Sequence, residues 1–191
     1  MSPAPPDAPP RIVLDACVLY PTVLRELLMG AAALGCFEPL WSDRIVDEWL
    51  HAAARLGPAQ RLVAEGEAAL MRADWPGAGI APDPATQARL WLPDPGDIHV
   101  LATALAGAAD GILTANSRDF PIRVLAGHGL ARHAPDTFLL DLYRGAPAHV
   151  EPVLKATLAK ANRLSETGWD MRALLRKARL PRLARAAAAL T

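Results

Sequence analysis

Cysteine is scarce in this sequence and occurs in no arrangement that binds zinc. The 191 residues contain two cysteines, Cys17 and Cys36, with no C-x-x-C spacing and no clustered histidines beside them. Structural zinc sites need several such ligands at short spacings, so the sequence gives no support to a zinc site. We interpret both cysteines as reduced, buried thiols, with a disulfide between them as the alternative.

Long apolar segments are also missing. No uninterrupted apolar run reaches the roughly 18 residues that span a bilayer, because Arg, Asp or Glu interrupts each one. The start, MSPAPPDAPP, lacks the charged region and apolar stretch of a signal peptide and has too many prolines to pack. We therefore expect a cytoplasmic protein that does not bind membranes and that begins with a disordered, proline-rich lead over residues 1–10.

The formal net charge is zero, but the charges are unevenly distributed. Residues 1–150 contain 11 Lys and Arg against 17 Asp and Glu, whereas residues 151–191 contain 9 against 3. An acidic body suits a site that concentrates metal cations, and a basic C-terminal part suits a polyanion or an acidic partner. Charge balance alone establishes neither partner.

Alternating strand and helix patterns predict one α/β domain over residues 11–147. Short apolar or β-branched runs, which are strand candidates, occur at residues 11–14, 37–41, 90–92, 111–114 and 129–133, mostly with helical patterns between them. This order predicts a three-layer fold with a central, mostly parallel sheet flanked by helices. Residues 148–191 are purely helical in pattern, with a break near Thr167 and Gly168, and we expect them to form a basic helical extension.

Several oxygen-bearing side chains follow predicted strands or begin predicted helices. Asp15 follows the first strand, Thr114 and Asn116 lie at the end of a later one, and Asp97 stands at or near a helix N-cap. Ligands of open parallel sheets bind outside the carboxyl ends of the strands. With Glu48 from another helix, these groups supply the carboxylate and amide oxygens that Mg²⁺ and Mn²⁺ prefer. The pattern predicts a site for a hard divalent metal.

A site of this kind suits hydrolysis of a phosphodiester. Metal ions held by carboxylates activate water and neutralise the charge that develops in the transition state. Covalent catalysis is less favoured, because no serine or cysteine nucleophile with an attendant histidine is evident. We interpret His99, which lies among apolar residues of a predicted helix, as a packing or supporting residue.

Four segments taken together resemble the PIN-domain family, close to its VapC-like toxins. They are IVLD ending at Asp15, IVDE ending at Glu48, DIHVLATA starting at Asp97 and TANSRDF starting at Thr114. The resemblance covers roughly residues 11–143. It implies a metal-dependent endoribonuclease of the PIN-like fold, with Mg²⁺ or Mn²⁺ as cofactor, RNA as substrate, a protein antitoxin as partner and a homodimer as the assembly.

The resemblance also implies roles for individual residues. Asp15, Glu48 and Asp97 correspond to the metal-site acids, and Thr114 to a polar supporting residue. Each has an alternative in its local structure: Asp15 as a turn residue, Asp97 as a helix cap, Glu48 on a solvated helix face and Thr114 as an ordinary strand residue.

The fourth acid of the family is ambiguous in this chain. Many members have Thr-x-Asp, whereas this chain has Asn116 at that place and Asp119 three residues later. The fourth ligand is therefore Asn116, Asp119 or neither, since both also suit a turn. We include Asp119 among the catalytic candidates. Asp94 is an additional acid beside Asp97, as in the Asp-Pro-x-Asp variants of the family.

The basic extension has three interpretations. Its cations contact RNA phosphates, dock an acidic inhibitor segment or form an ordinary solvated helix face. The nucleic-acid candidates that we select are Arg172, Arg176, Lys177 and Arg179.

Three functions compete on this sequence. The first is a toxin-like endoribonuclease. The second is a phosphatase of the haloacid-dehalogenase kind, which wants a second Asp where this chain has Cys17. The third is a catalytically degraded PIN-like module that binds RNA or protein, which the Asn116 position suggests.

Overall fold

The central element of the fold is a four-stranded parallel sheet. The computed structural model describes residues 8–165, 168–188 and 190. The strands are β1 (Arg11–Leu14), β2 (Glu38–Leu40), β3 (Gly111–Leu113) and β4 (Ala131–His133), in the spatial order β2-β1-β3-β4 with every neighbouring pair parallel. The two central strands, β1 and β3, are almost wholly buried. This burial is typical of a parallel sheet covered on both faces.

Helices flank the sheet and give the three-layer architecture that the sequence predicts. Those in the described ranges are α1 (Ala16–Leu19), α2 (Thr22–Ala33), α3 (Asp43–Ala54), α4 (Pro58–Asp74), α5 (Pro84–Gln87), α6 (Ile98–Ala106), α7 (Ile122–Gly127), α8 (Pro135–Gly145), α9 (Pro147–Leu164), α10 (Met171–Lys177) and α11 (Pro181–Ala186). A 3₁₀ turn, Pro95–Asp97, leads into α6. The predicted fold class is confirmed.

The strand order creates a topological switch point between β1 and β3. The chain passes from β1 to β2 on one side and then crosses to β3 on the other. The register pairs Leu14 with Leu113 at the carboxyl ends of the two strands. Ligand sites of open α/β sheets lie at such a point. The next residues along the chain are Asp15 and Thr114, so the fold brings these two side chains to the same edge.

The C-terminal extension packs onto the rest of the fold. Helix α9 contacts α2 and α8, and α11 contacts α8. A Cβ added at Gly30 of α2 would lie 2.5 Å from Val153 Cγ1, so glycine permits the close approach of α9. Leu154, Leu175 and Leu183 belong to the same buried cluster as the sheet residues. The extension therefore shares its core with the sheet.

One predicted strand is wrong. Residues 90–92 form no strand; Leu92 is buried, whereas Trp91 is 64% exposed. Pro93 follows at once and Pro95 soon after, and proline offers no N–H to a sheet ladder. Residues 90–92 connect the short helix α5 to the 3₁₀ turn Pro95–Asp97 instead.

Two predictions fall partly outside the described residues. These are the disordered lead, of which residues 1–7 lie outside, and the break near Thr167. Pro10, at the end of the lead, already accepts a hydrogen bond from Glu38 N (2.8 Å). Within the described ranges, no helix combines the length and the apolarity needed to cross a membrane.

Candidate metal centre

Asp15 lies at the carboxyl end of β1 and is held by two side-chain donors. Its side chain is buried, and its Oδ2 atom accepts hydrogen bonds from Thr114 Oγ1 (2.6 Å) and Cys17 Sγ (3.0 Å). Asp15 occupies the N-cap position of α1, but its carboxylate caps no helix N–H. Its other oxygen, Oδ1, has no hydrogen-bond donor among the described residues. The carboxylate is thus fixed in place with one oxygen available to a ligand.

Thr114 is a positioning residue for this carboxylate. Its backbone N–H donates to His133 O (3.1 Å), which holds the residue beyond the end of β3. The hydroxyl donates to Asp15 and accepts the N–H of Asn116 (2.9 Å), and both its hydrogen-bonding functions are therefore used. These bonds place the Thr114 hydroxyl between Asp15 and the turn that carries Asn116.

Asp94, Asp97 and Asp119 form a tight group. One carboxylate oxygen from each of the three lies within 4.8 Å of the others. Asp94 Oδ1 accepts the N–H of Gly96 (2.7 Å), which closes the 3₁₀ turn. Asp97 is the N-cap residue of α6, but its side chain, like that of Asp15, accepts no hydrogen bond from a helix N–H. The structure therefore brings Asp94 and Asp119 as close to Asp97 as metal ligands would be.

Asn116 links two of these acids. Its Nδ2 atom donates to Asp119 Oδ2 (2.6 Å) and to Asp97 Oδ2 (3.2 Å). An amide in this place supplies hydrogen-bond donors where an aspartate would add a further negative charge. Asn116 holds the group together from one side, and Asp119 is the residue of this turn whose carboxylate joins the acids.

The electrostatics of Asp97 show how closely the acids are gathered. Burial is the main cause that raises the pKa of Asp97 to about 6, and the charges of Asp15, Asp94, Asp119 and Glu48 add to it in that order. Four other carboxylates thus act on one. Gathering like charges is costly unless a cation joins them.

Glu48 lies at the margin of the group. It is half-exposed on α3, and its Oε1 lies 2.8 Å from Nε2 of the buried His99 and 3.8 Å from Nε of Arg44. The Arg44 guanidinium also donates to Gly96 O (3.2 Å), inside the 3₁₀ turn between Asp94 and Asp97. Glu48 is near enough to act on Asp97 electrostatically but is not one of the three closest acids.

Two residues that contact the acids, Cys17 and Arg44, are not among the site residues predicted from the sequence. Cys17 was interpreted only as a buried thiol, yet it donates to Asp15, and Arg44 ties Glu48 to the turn that carries Asp97. Burial, with the charge of Asp15 second, raises the pKa of the Cys17 thiol to about 12. The thiol therefore stays protonated and is no nucleophile. In the sequence, only the position of Cys17 two residues after Asp15 indicates that Cys17 lies near the site. No sequence pattern indicates the same for Arg44.

The four basic candidates of the extension lie away from these contacts. Arg172, Arg176, Lys177 and Arg179 are all exposed, and Lys177 Nζ sits 4.8 Å from the centroid of the Trp169 ring. None of them contacts an acid of the group among the described residues. The extension is nevertheless tied to the helix that follows β4, because Asp136 in the first turn of α8 accepts the backbone N–H groups of Arg182 and Leu183 at the start of α11.

The residues present fit a hard divalent cation. The donor set consists of carboxylate oxygens, and burial together with the neighbouring negative charges raises the pKa of Asp97. The site offers no thiolate to a soft metal ion, because the Cys17 thiol beside it is protonated and donates a hydrogen bond to Asp15. Asp94, Asp97 and Asp119 could hold one divalent ion, with Asp15 and Glu48 beside them.

The family comparison agrees with the site. A family model described as PIN domain matches residues 11–118, which includes Asp15, Glu48, Asp94, Asp97 and Asn116. The chain belongs to the PIN-domain family, whose members are generally metal-dependent nucleases. The searches of curated proteins and of solved structures found no match.

Proposed function

We propose that this protein is a metal-dependent endoribonuclease that hydrolyses RNA phosphodiesters, with Asp15, Asp97 and Glu48 as metal-site acids and Asp119 as the fourth carboxylate. The observation that carries the proposal is the convergence of five carboxylates on one edge of the sheet, with Asp97 at their centre. Bound Mg²⁺ or Mn²⁺ would supply an activated water and neutralise the phosphate in the transition state.

The protein's own side chains would prepare this site before any ion binds. Thr114 and Cys17 fix the Asp15 carboxylate, Asn116 aligns Asp97 with Asp119, and the Gly96 N–H fixes Asp94. Ligands held in this way lose little freedom on binding, which favours both affinity and catalytic geometry. In this proposal Asn116 is a structural partner, and its presence does not make the site defective.

The exposed cations of the extension would contact the RNA backbone. Arg172, Arg176, Lys177 and Arg179 face solvent, and the start of α11 is anchored beyond the carboxyl end of β4, the edge strand beside β3. Phosphate contacts release counterions, so RNA binding should weaken steeply as salt increases.

We also propose that the protein acts as a toxin. Helix α4 exposes Leu62, Val63 and Leu70, an apolar surface of the kind that a protein partner covers. We propose that an antitoxin, or a second copy of the chain, binds this surface. Induced expression in bacteria should arrest growth for the wild type and not for Asp97→Asn.

The function is tested by cleavage of labelled single-stranded and structured RNAs with Mn²⁺ or Mg²⁺. We expect cutting that chelator abolishes and that Asp97→Asn reduces by more than about a hundredfold. Asp47→Asn is the matched control, because Asp47 is exposed on α3 and contributes nothing to the raised pKa of Asp97. Cleavage that survives in Asp97→Asn would refute the proposal. Metal binding without cleavage of any RNA would favour the non-catalytic module.

A further inference from the structure

A cavity of about 330 Å³ opens beside the acid group. Its lining includes Arg44, Gly79, Ile80, Pro82, Gln87 and His99. Small-molecule sites in proteins occupy about 300–1,000 Å³, so the cavity has the size of one small ligand.

The cavity lies at the carboxyl end of β2, on the same edge of the sheet as Asp15. Trp41 follows β2 and forms a bridge with Gly79, through hydrogen bonds from Trp41 N to Ala78 O (3.0 Å) and from Ile80 N to Trp41 O (2.8 Å). These bonds fix the loop that forms one wall. Because β1 and β2 are parallel neighbours, their carboxyl ends lie at the same edge of the sheet. The cavity beyond β2 is therefore adjacent to Asp15 beyond β1.

Two residues are shared between the cavity wall and the acid group. Arg44 lines the cavity and donates to Gly96 O, and His99 lines it while its Nε2 lies 2.8 Å from Glu48 Oε1. His99 is 1% exposed; Glu48 is the neighbour of its Nε2, whereas its Nδ1 has no hydrogen-bond partner among the described residues. Buried polar groups without partners are uncommon and point to a missing partner such as a ligand.

The lining favours a neutral, planar group with hydrogen-bonding edges. Ile80 and Pro82 offer apolar surface, whereas Gln87, His99 and Arg44 offer donors and acceptors. An anion is disfavoured, because the acid group lies next to the cavity and no cation of the described lining is free: Arg44 is paired with Glu48, and Asp43 is paired with Arg72. A nucleobase meets these requirements, since unpaired bases are read by stacking and by hydrogen bonds to their edges.

We propose that this cavity is a nucleobase subsite, which takes one unpaired base of a single-stranded RNA whose backbone passes the acid group and so sets the base preferred beside the cut. The proposal rests on the nuclease function proposed above. The recognised part of the substrate would be one base, and Gln87, which touches no acid of the group, would be a specificity residue.

The chain offers a matched pair of variants that fill or spare the cavity. A Cβ at Gly79 or at Gly77 would meet no heavy atom within 4 Å, and neither residue has a left-handed backbone. The backbone therefore accepts a Cβ at both positions; Gly79→Leu adds a side chain to a residue that lines the cavity, whereas Gly77→Leu adds the same side chain outside the lining. Gln87→Ala has a control in Gln60→Ala, whose residue lies on α4.

The first test needs no catalysis. The four neutral ribonucleosides are titrated into the protein in chelator, and backbone amide shifts are followed by NMR. We expect at least one nucleoside to shift the amides of Gly79, Ala81 and Gln87, with the shifts lost in Gly79→Leu and kept in Gly77→Leu. If no nucleoside shifts these amides, or if the shifts persist in Gly79→Leu, the subsite is refuted.

The second test measures cleavage of single-stranded RNAs that carry each of the four bases at each position around the cut. The ratio of kcat/KM between the best and worst base should fall about tenfold in Gln87→Ala, the factor for one lost hydrogen bond of about 1.4 kcal/mol, and should also fall in Gly79→Leu, which narrows the cavity. Metal-dependent cutting with an unchanged base preference would refute the subsite and leave the nuclease standing. Nucleoside binding without RNA cleavage would refute the nuclease and leave the subsite.

Discussion

Replacing Asp97 by Asn should stabilise the metal-free protein while removing a ligand from the candidate centre. The raised pKa of Asp97, about 6 against an ordinary 3.8, means that its ionised form is disfavoured in the folded state. A shift of about 2 pH units corresponds to at most about 3 kcal/mol, at 1.36 kcal/mol per unit. Because Asp97 is only half-buried, solvent screening reduces the expected gain to about 1 kcal/mol.

The sign of the effect depends on pH. A carboxyl whose pKa is higher in the folded than in the unfolded state favours folding when protonated, and this contribution is lost as the pH rises from about 4 through about 6. The variant has no such loss. Its advantage over the wild type should therefore be complete above about pH 7 and should disappear below about pH 4.

Thermal unfolding in chelator at pH 8 and pH 4 measures this difference. For a chain of this length, about 1 kcal/mol shifts Tm by about 2–4 °C. Asp47→Asn should leave Tm within about 1 °C of the wild type, since surface substitutions have small effects. The reasoning is refuted if Asp97→Asn is no more stable than the wild type at pH 8, or if its advantage is as large at pH 4.

Three further predictions concern the contacts around the site and the extension. Thr114→Val should lower kcat by at least about tenfold, because it removes a hydroxyl donor from the buried Asp15 carboxylate, whereas Thr114→Ser should keep most of the activity; equal losses would contradict the role. Asp136→Ala should lower the free energy of unfolding in urea by about 1 kcal/mol, because the N–H groups at the start of α11 lose their acceptor, and Asp141→Ala on the same helix should not. Cys17 should react with iodoacetamide at pH 8 more slowly than Cys36, as followed by mass spectrometry, because its thiolate fraction is only about 10⁻⁴; equal rates would contradict its raised pKa.

The position of the site followed from the sequence because it depends on local patterns. A buried β-branched run that ends at Asp15 and another that ends at Thr114 mark strand ends, and parallel strands bring such ends together. The fold class, predicted from the alternation of strand and helix patterns, and the PIN-domain family, predicted from the resemblance of four motifs, are both confirmed. The roles of individual acids stay predictions.

The finer contacts of the site depend on packing between segments far apart in the chain. Glu48 meets His99 because α3 lies against α6, and residues 51 positions apart carry no common sequence signal. The same holds for Arg44 and Gly96. The strand prediction at residues 90–92 is wrong because a three-residue apolar run does not by itself distinguish a strand from a loop in which only one side chain, Leu92, is buried.

Diffraction from crystals soaked in Mn²⁺, with its anomalous signal, tests the central claim most directly. We predict an ion coordinated by the Asp97 carboxylate and by at least one of Asp15, Asp94, Asp119 and Glu48, with no such ion in Asp97→Asn crystals. An ion-free acid group at a Mn²⁺ concentration that fills other carboxylate sites on the surface would contradict the metal centre and, with it, the proposed nuclease.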